Sequence, residues 1–103
     1  MGVKRVGTYK WEDGKEYTGD WKNSKMEGQG TYRWPNGKLY IGEFFNDLKH
    51  GYGVMTWNSG KRYEGYWKED KMHGKGKMVD SNGIETYGTW ERGIKVSDNN
   101  FEG

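Results

Sequence analysis

Cysteine is absent from the 103-residue chain and proline occurs once. Without thiols there are no disulfides and no thiolate metal sites, and a reducing compartment is permitted. Long apolar runs are missing too. Nothing approaches the roughly 18–20 residues that a membrane-spanning helix needs, and the opening MGVKRVGTYKW holds no stretch like a signal peptide. Any membrane contact would therefore be peripheral, and although Gly2 follows the initiator methionine, Val6 stands where an N-myristoylation signal wants Ser or Thr, which argues against lipidation. A formal charge of +2 is too mild to indicate a nucleic-acid binder. Catalytic sets are also lacking. His50 and His73 fall two strands apart, about 10 Å, too far to share a metal, and no Ser-His-Asp set is suggested by spacing. The Gly-x-Gly triples have no helix after them, which rules out a phosphate-cradling loop. The expectation is a non-enzyme without cofactor or metal, in the cytoplasm.

What the chain does have is aromatic rings and glycine. A mean hydropathy of -1.24 with 31% charged residues would suit a disordered chain, but 17% aromatic residues, six of them Trp and eight Tyr, do not. The rings recur with a fixed period. Tyr17–Gly30 reads YTGDWKNSKMEGQG, Tyr40–Gly53 reads YIGEFFNDLKHGYG, and Tyr63–Gly76 reads YEGYWKEDKMHGKG. Gly19, Gly42, Gly65 and Gly88 are 23 residues apart, as are Trp21, Phe44, Trp67 and Trp90. Such a period is the signature of a repeat array.

Two sets of turn signals punctuate each repeat. Glu12-Asp13-Gly14, Pro35-Asn36-Gly37, Asn58-Ser59-Gly60 and Ser81-Asn82-Gly83 form one; 22–25, 45–48, 68–71 and 91–94 form the other. Between them the spacing predicts strands at 3–11, 15–21, 26–34, 38–44, 49–57, 61–67, 72–80 and 84–90, and no helix. The expected fold is all-β, a single elongated twisted antiparallel sheet of about eight strands, roughly 38 Å long at about 4.8 Å per strand. Alternation puts nearly all the rings on one face. If the turn at 22–25 pairs Gly19 with Gly28, Tyr17 faces Gly30 and Trp21 faces Met26. Rings then lie over glycines, which accounts for glycine in mid-strand.

These hairpins resemble those of the MORN-repeat family, whose 23-residue unit carries the pattern YxGxWxxxxxxGxG. Tyr17, Gly19, Trp21, Gly28 and Gly30 match it, as do Tyr63, Gly65, Trp67, Gly74 and Gly76; Tyr40, Gly42, Phe44, Gly51 and Gly53 match with Phe for Trp. The likeness spans residues 1–93 as an array of about four units, the first and last partial. Residues 94–103 read as a C-terminal cap or mobile tail. Arg5, Ser97 and Asn99 replace expected glycines, as end units of an array often do. The resemblance implies an open half-pipe sheet. It also implies roles as cytoskeletal, ciliary or membrane-junction scaffolds, or binding to anionic phospholipids.

Candidate sites follow from the faces. An aromatic strip formed by Trp11, Tyr17, Trp21, Trp34, Tyr40, Phe44, Trp57, Tyr63 and Trp67 suits a peptide or helix of a protein partner, since Trp and Tyr anchor interfaces. The opposite face is polar except for Leu39, Ile41, Tyr52 and Val54. In the register pairing Gly42 with Gly51, that patch sets Ile41 opposite Tyr52 and Leu39 opposite Val54, and offers a second contact for another subunit. Lys22, Lys25, Lys68, Lys71, Lys75 and Lys77 gather in and beside turns and would serve an anionic lipid surface. The edge strands Val3–Trp11 and Ile84–Trp90 offer self-association.

Overall fold

The computed structural model describes residues 4–98, and among them only strands and turns occur. The strands are β1 (Lys4–Lys10), β2 (Glu16–Lys22), β3 (Lys25–Arg33), β4 (Leu39–Phe45), β5 (Leu48–Thr56), β6 (Arg62–Lys68), β7 (Lys71–Val79), β8 (Glu85–Glu91) and β9 (Ile94–Asp98). They form one open sheet in chain order, 47 Å in its longest dimension. The sheet has nine strands rather than eight, because the turn after Glu91 closes one more hairpin and Ile94 pairs with Glu91. Ile84–Trp90 is therefore not an edge: β9 covers it, and the outer strands are β1 and β9. Val3 and 99–103, which the sequence placed in an edge strand and in the terminal cap or tail, lie outside the described residues.

Two turn chemistries alternate. Asn46 and Asp47 have φ of 54° and 71°, and Asn23-Ser24 and Glu69-Asp70 repeat this at 53° and 66° and at 50° and 74°. Positive φ at both corners makes the type I′ reversal, whose twist agrees with that of the flanking strands. At the other end of each hairpin, the Gly37 amide donates to the Trp34 carbonyl at 3.1 Å and the Trp34 amide to the Lys38 carbonyl at 2.9 Å. This is a type I turn closed by a left-handed glycine.

Inside each hairpin the register slips, which corrects the expected pairing. Trp21 opposes Met26, but Gly19 opposes Gly30 rather than Gly28. The slip occurs beside Gly28, and its counterpart Gly51 shows why glycine is needed: φ is 102° there, a conformation closed to side-chain residues. Tyr17 consequently opposes Tyr32, not Gly30. Its ring still lies where a Cβ on Gly30 would be, so rings do cover glycines. A slip of two residues preserves the faces, which is why the face assignments survive a wrong register. At Ser97, the bulge glycine is missing and the slip shrinks to one residue, pairing Gly88 with Asp98.

The core is a single layer of rings on the glycine row. Trp21, Tyr17, Phe44, Tyr40, Trp67, Tyr63 and Trp90 follow one another across the sheet in edge-to-face contacts with centroids 5.0–5.5 Å apart. Each contact adds about 0.5–1.5 kcal/mol beyond area burial. Tyr17, Tyr40 and Tyr63 are 0% exposed, and their hydroxyls donate to the carbonyls of Asp20, Glu43 and Tyr66 at 2.8, 3.0 and 3.1 Å.

Successive hairpins are also clipped at the I′ turns. The Asp70 amide donates to the Lys49 carbonyl at 2.9 Å, and Asp70 Oδ1 accepts from the Lys49 amide at 2.8 Å. Asp47 does the same on Met26, at 3.1 and 2.8 Å. Asp70→Gly removes the carboxylate while relieving the positive φ, and is expected to lower stability by about 1 kcal/mol. Glu69→Gly, at the same kind of φ, is expected to be neutral or mildly stabilising. Urea midpoints of the two variants check this.

Candidate partner-binding face

The sheet's aromatic face has two tiers. Tyr17, Tyr40, Phe44, Tyr63 and Trp67 form the lower one and are buried; they support the sheet and leave a partner almost no surface beyond the edge of Phe44 in the smaller of two clefts, so the expectation that they are the contact surface is corrected. Trp11, Trp21, Trp34 and Trp57 are half-buried, packed on the core with one side and open on the other. Tyr32, which the sequence reading did not select, joins them: it stacks on Trp11 at 5.5 Å and tilts against Trp34 at 4.6 Å. Burial of its ring raises the Tyr32 pKa. Two clefts lie between these rings and the I′ turns. The larger, about 600 Å³, lies between Tyr9, Trp11, Trp21, Ser24 and Asp47. The smaller, about 150 Å³, is lined by Tyr32, Trp34, Phe44, Lys49 and Asp70. They share Met26 and Asp47, and so lie side by side along the face as a trough divided at these two residues. In its floor Lys49 meets Asp70 Oδ1 at 3.2 Å and lies 5.4 Å from the Trp67 ring and 5.8 Å from that of Trp34.

The opposite face is less polar than the sequence suggested. Alternation puts Phe45, Tyr52, Tyr66 and Tyr87 there, all exposed. The patch is present but its register differs: Ile41 opposes Val54, Leu39 opposes Thr56, and Tyr52 opposes Tyr66 on β6. The two tyrosine rings meet edge to face at 5.5 Å. Of the lysines, Lys77 lies 3.5 Å from both Glu64 and Glu85, and Lys22 lies 3.9 Å from Glu27. A hydrogen bond from Arg62, followed by the Lys77 charge, holds the Glu64 carboxyl below the usual carboxylate range. Lys25 donates to Asn46 Oδ1 at 2.9 Å. Lys68 and Lys71 share a shallow depression of about 310 Å³ with His73 and Arg92, while Lys75 opposes Thr89 and lines a cleft with Tyr52 and Tyr87. The six lysines thus do not form one stripe.

Comparison with known families matches the MORN repeat at residues 17–38, 40–62 and 63–85. The chain belongs to the MORN-repeat family. Comparison with curated proteins finds no match. MORN repeats are non-catalytic modules that commonly mediate contacts with proteins or membranes.

The MORN pattern, as read from the sequence, marks the lower tier: the Tyr and Trp positions of YxGxW become core, except Trp21 in the first hairpin, which stays half-buried. The open rings Trp11, Trp34 and Trp57 lie outside that pattern, one residue beyond the strands β1, β3 and β5. Their periodicity was visible; their openness was not, because it depends on the ring layer beneath them. No helix among the described residues is long and apolar enough to cross a membrane.

Proposed function

We propose that this MORN array is a cytoplasmic scaffold module that holds a peptide or helix of a partner protein in the trough of its aromatic face, within a larger assembly. The observation that carries this reading is the two-tier ring layer: a sealed core of tyrosines beneath a row of tryptophans that keep one side open. A core needs only the first tier. An open row of rimmed aromatic surface is the kind of surface that partners occupy. Trp34→Ala/Trp57→Ala is expected to stay folded by circular dichroism, because the buried ladder is untouched, and to lose captured partner by at least about 10-fold in a pull-down from native extract. Retention of the partner by the folded double mutant rejects the trough as the site.

A second reading has its own observation. Lys68, Lys71, His73 and Arg92 line one depression at the turn edge of the third repeat, with Glu69 among them, a mainly basic grouping suited to lipid phosphates. That mode weakens steeply with salt, whereas ring burial does not. Capture of anionic vesicles, lost at high salt and indifferent to the two tryptophans, would identify it.

A further inference from the structure

Asn-Gly occurs twice in the chain, at Asn36-Gly37 and Asn82-Gly83, and the repeat puts both in the same kind of turn. They differ in what holds the asparagine. We propose that Asn82 is a site of spontaneous covalent modification, closing on Gly83 to a succinimide that water opens to isoaspartate and aspartate, whereas Asn36 is protected by its turn.

In the first three repeats the side chain at this position is tied down. Asn36 Oδ1 accepts from the Lys38 amide at 3.0 Å, and Asp13 and Ser59 accept in the same way from the Lys15 and Lys61 amides, at 3.1 and 3.3 Å. The fourth repeat carries Asp80 where the others have Trp11, Trp34 and Trp57. Its carboxylate takes over the bond: Asp80 Oδ1 accepts from the Ile84 amide and from the Asn82 amide, both at 2.9 Å. The donor that Asn82 would have used is occupied, and among the described residues the Asn82 side chain has no partner. Two further restraints are missing. Pro35 presets the corner before Asn36, where Ser81 stands before Asn82. A Cβ on Gly37 would lie 3.4 Å from Asn58, while nothing lies within 4 Å of that position on Gly83. Both asparagines are exposed to water. The Gly37 and Gly83 amides donate to the Trp34 and Asp80 carbonyls at 3.1 and 2.9 Å, so that bond does not separate the two sites.

The chemistry needs only water. Hydroxide takes the Gly83 amide proton and the nitrogen attacks Asn82 Cγ. A new C–N bond forms, the bond from Cγ to the side-chain nitrogen breaks, and ammonia leaves with a proton from water. Glycine suits the attacking position because it has no Cβ to shield the nitrogen. Water then adds to one succinimide carbonyl. Opening at one restores the main chain with aspartate; opening at the other routes it through the side chain as isoaspartate. Either product lowers the formal charge of +2 by one. Attack requires the asparagine side chain to turn towards the glycine nitrogen, a rotation that breaks the bond from Asn36 to Lys38 and costs Asn82 none.

The test ages the intact folded chain in mildly alkaline buffer and digests it with trypsin, which cuts after Arg33, Lys38, Lys77 and Arg92 and so puts the two asparagines on separate peptides. Mass spectrometry reads amide-to-acid conversion, and an isoaspartyl methyltransferase with a labelled methyl donor reads isoaspartate. Asn82 is expected to convert at least about 5-fold faster than Asn36, the factor that one net hydrogen bond supplies. In urea the two should convert at similar rates, because the fold makes the difference. Asp80→Ala frees the Ile84 amide for Asn82 and should slow Asn82 towards the rate of Asn36. Equal rates in the folded chain, faster loss of Asn36, or the same preference in urea each overturn the proposal. An Asp80→Ala chain that ages like the wild type overturns it too.

Discussion

Gly65→Val is expected to abolish the cooperative fold, at a cost above about 4 kcal/mol, beyond the usual range for a point substitution. Gly65 sits in β6 opposite Gly76. A Cβ there would come within 2.6 Å of both the Gly76 Cα and the Tyr63 hydroxyl, and 2.8 Å from the Lys75 carbonyl. Two of these neighbours are backbone and the third belongs to a fully buried ring, so no flexible side chain can yield. Overpacking ordinarily costs 1–3 kcal/mol, roughly, because neighbours shift; here they are the sheet itself. Gly60 is the opposite case. Its φ is 95°, yet nothing lies within 4 Å of its Cβ position, so Gly60→Ala costs only backbone strain, about 1 kcal/mol. Urea unfolding followed by near-ultraviolet circular dichroism separates the two. A native-like Gly65→Val would contradict the placement of the Tyr63 ring over the glycine row. Because each repeat is held only by its neighbours, failure at β6 and β7 would separate β1–β5 from β8 and β9.

The period made the fold legible, and the same regularity concealed its register. Twenty-three residues, two turn signals and strict alternation were enough for an all-β hairpin array and for assigning Tyr17, Tyr40 and Tyr63 to one face. Pairing Gly19 with Gly28 was the natural choice for a straight ladder. The bulge at Gly28 defeats it, since a left-handed residue leaves no trace in alternation when the slip is two. The ninth strand was left open as a cap or a tail because IKVSD carries no ring and none of the repeat's glycines. The site was half legible. Type and period identified the rings, but which rings remain open depends on stacking between repeats, as Trp67 and Trp57 show: one is sealed between Tyr40 and Tyr63, the other ends at the margin beside Lys61. The lysine positions were plain, while their partners, such as Glu64 and Glu85 for Lys77, lie on adjacent strands and needed the register.

Alkali is expected to unfold the protein between about pH 10 and pH 12, because the core is built on phenols that must stay protonated. Burial pushes the Tyr17 hydroxyl up to about 12, with the Asp20 charge adding to it. Burial alone drives most of the rise of Tyr63 to about 12, and Tyr40, at the centre of the ladder, is raised further, with Glu43 contributing. The ordinary value is 10.0. Above it the unfolded chain releases these protons while the folded chain keeps them, so the unfolded state binds fewer protons and stability falls as pH rises. Each buried tyrosine removes about 1.4 kcal/mol per pH unit across that window, and below about pH 10 the contribution is fully present. Three such groups acting together remove about 8 kcal/mol by pH 12, comparable with the whole margin of a small domain. Urea midpoints taken at rising pH should therefore collapse, with the tyrosinate absorbance of the three buried rings appearing as a step at unfolding, on top of that from the exposed Tyr9, Tyr52, Tyr66 and Tyr87. Tyr40→Phe isolates the cause. It keeps the ring over Gly53 but removes the proton and the bond to the Glu43 carbonyl, so it should cost about 1 kcal/mol at neutral pH and flatten the alkaline slope by one tyrosine. An unchanged slope in that variant would mean that the Tyr40 hydroxyl reaches water, contrary to the sealed lower tier on which the trough is built.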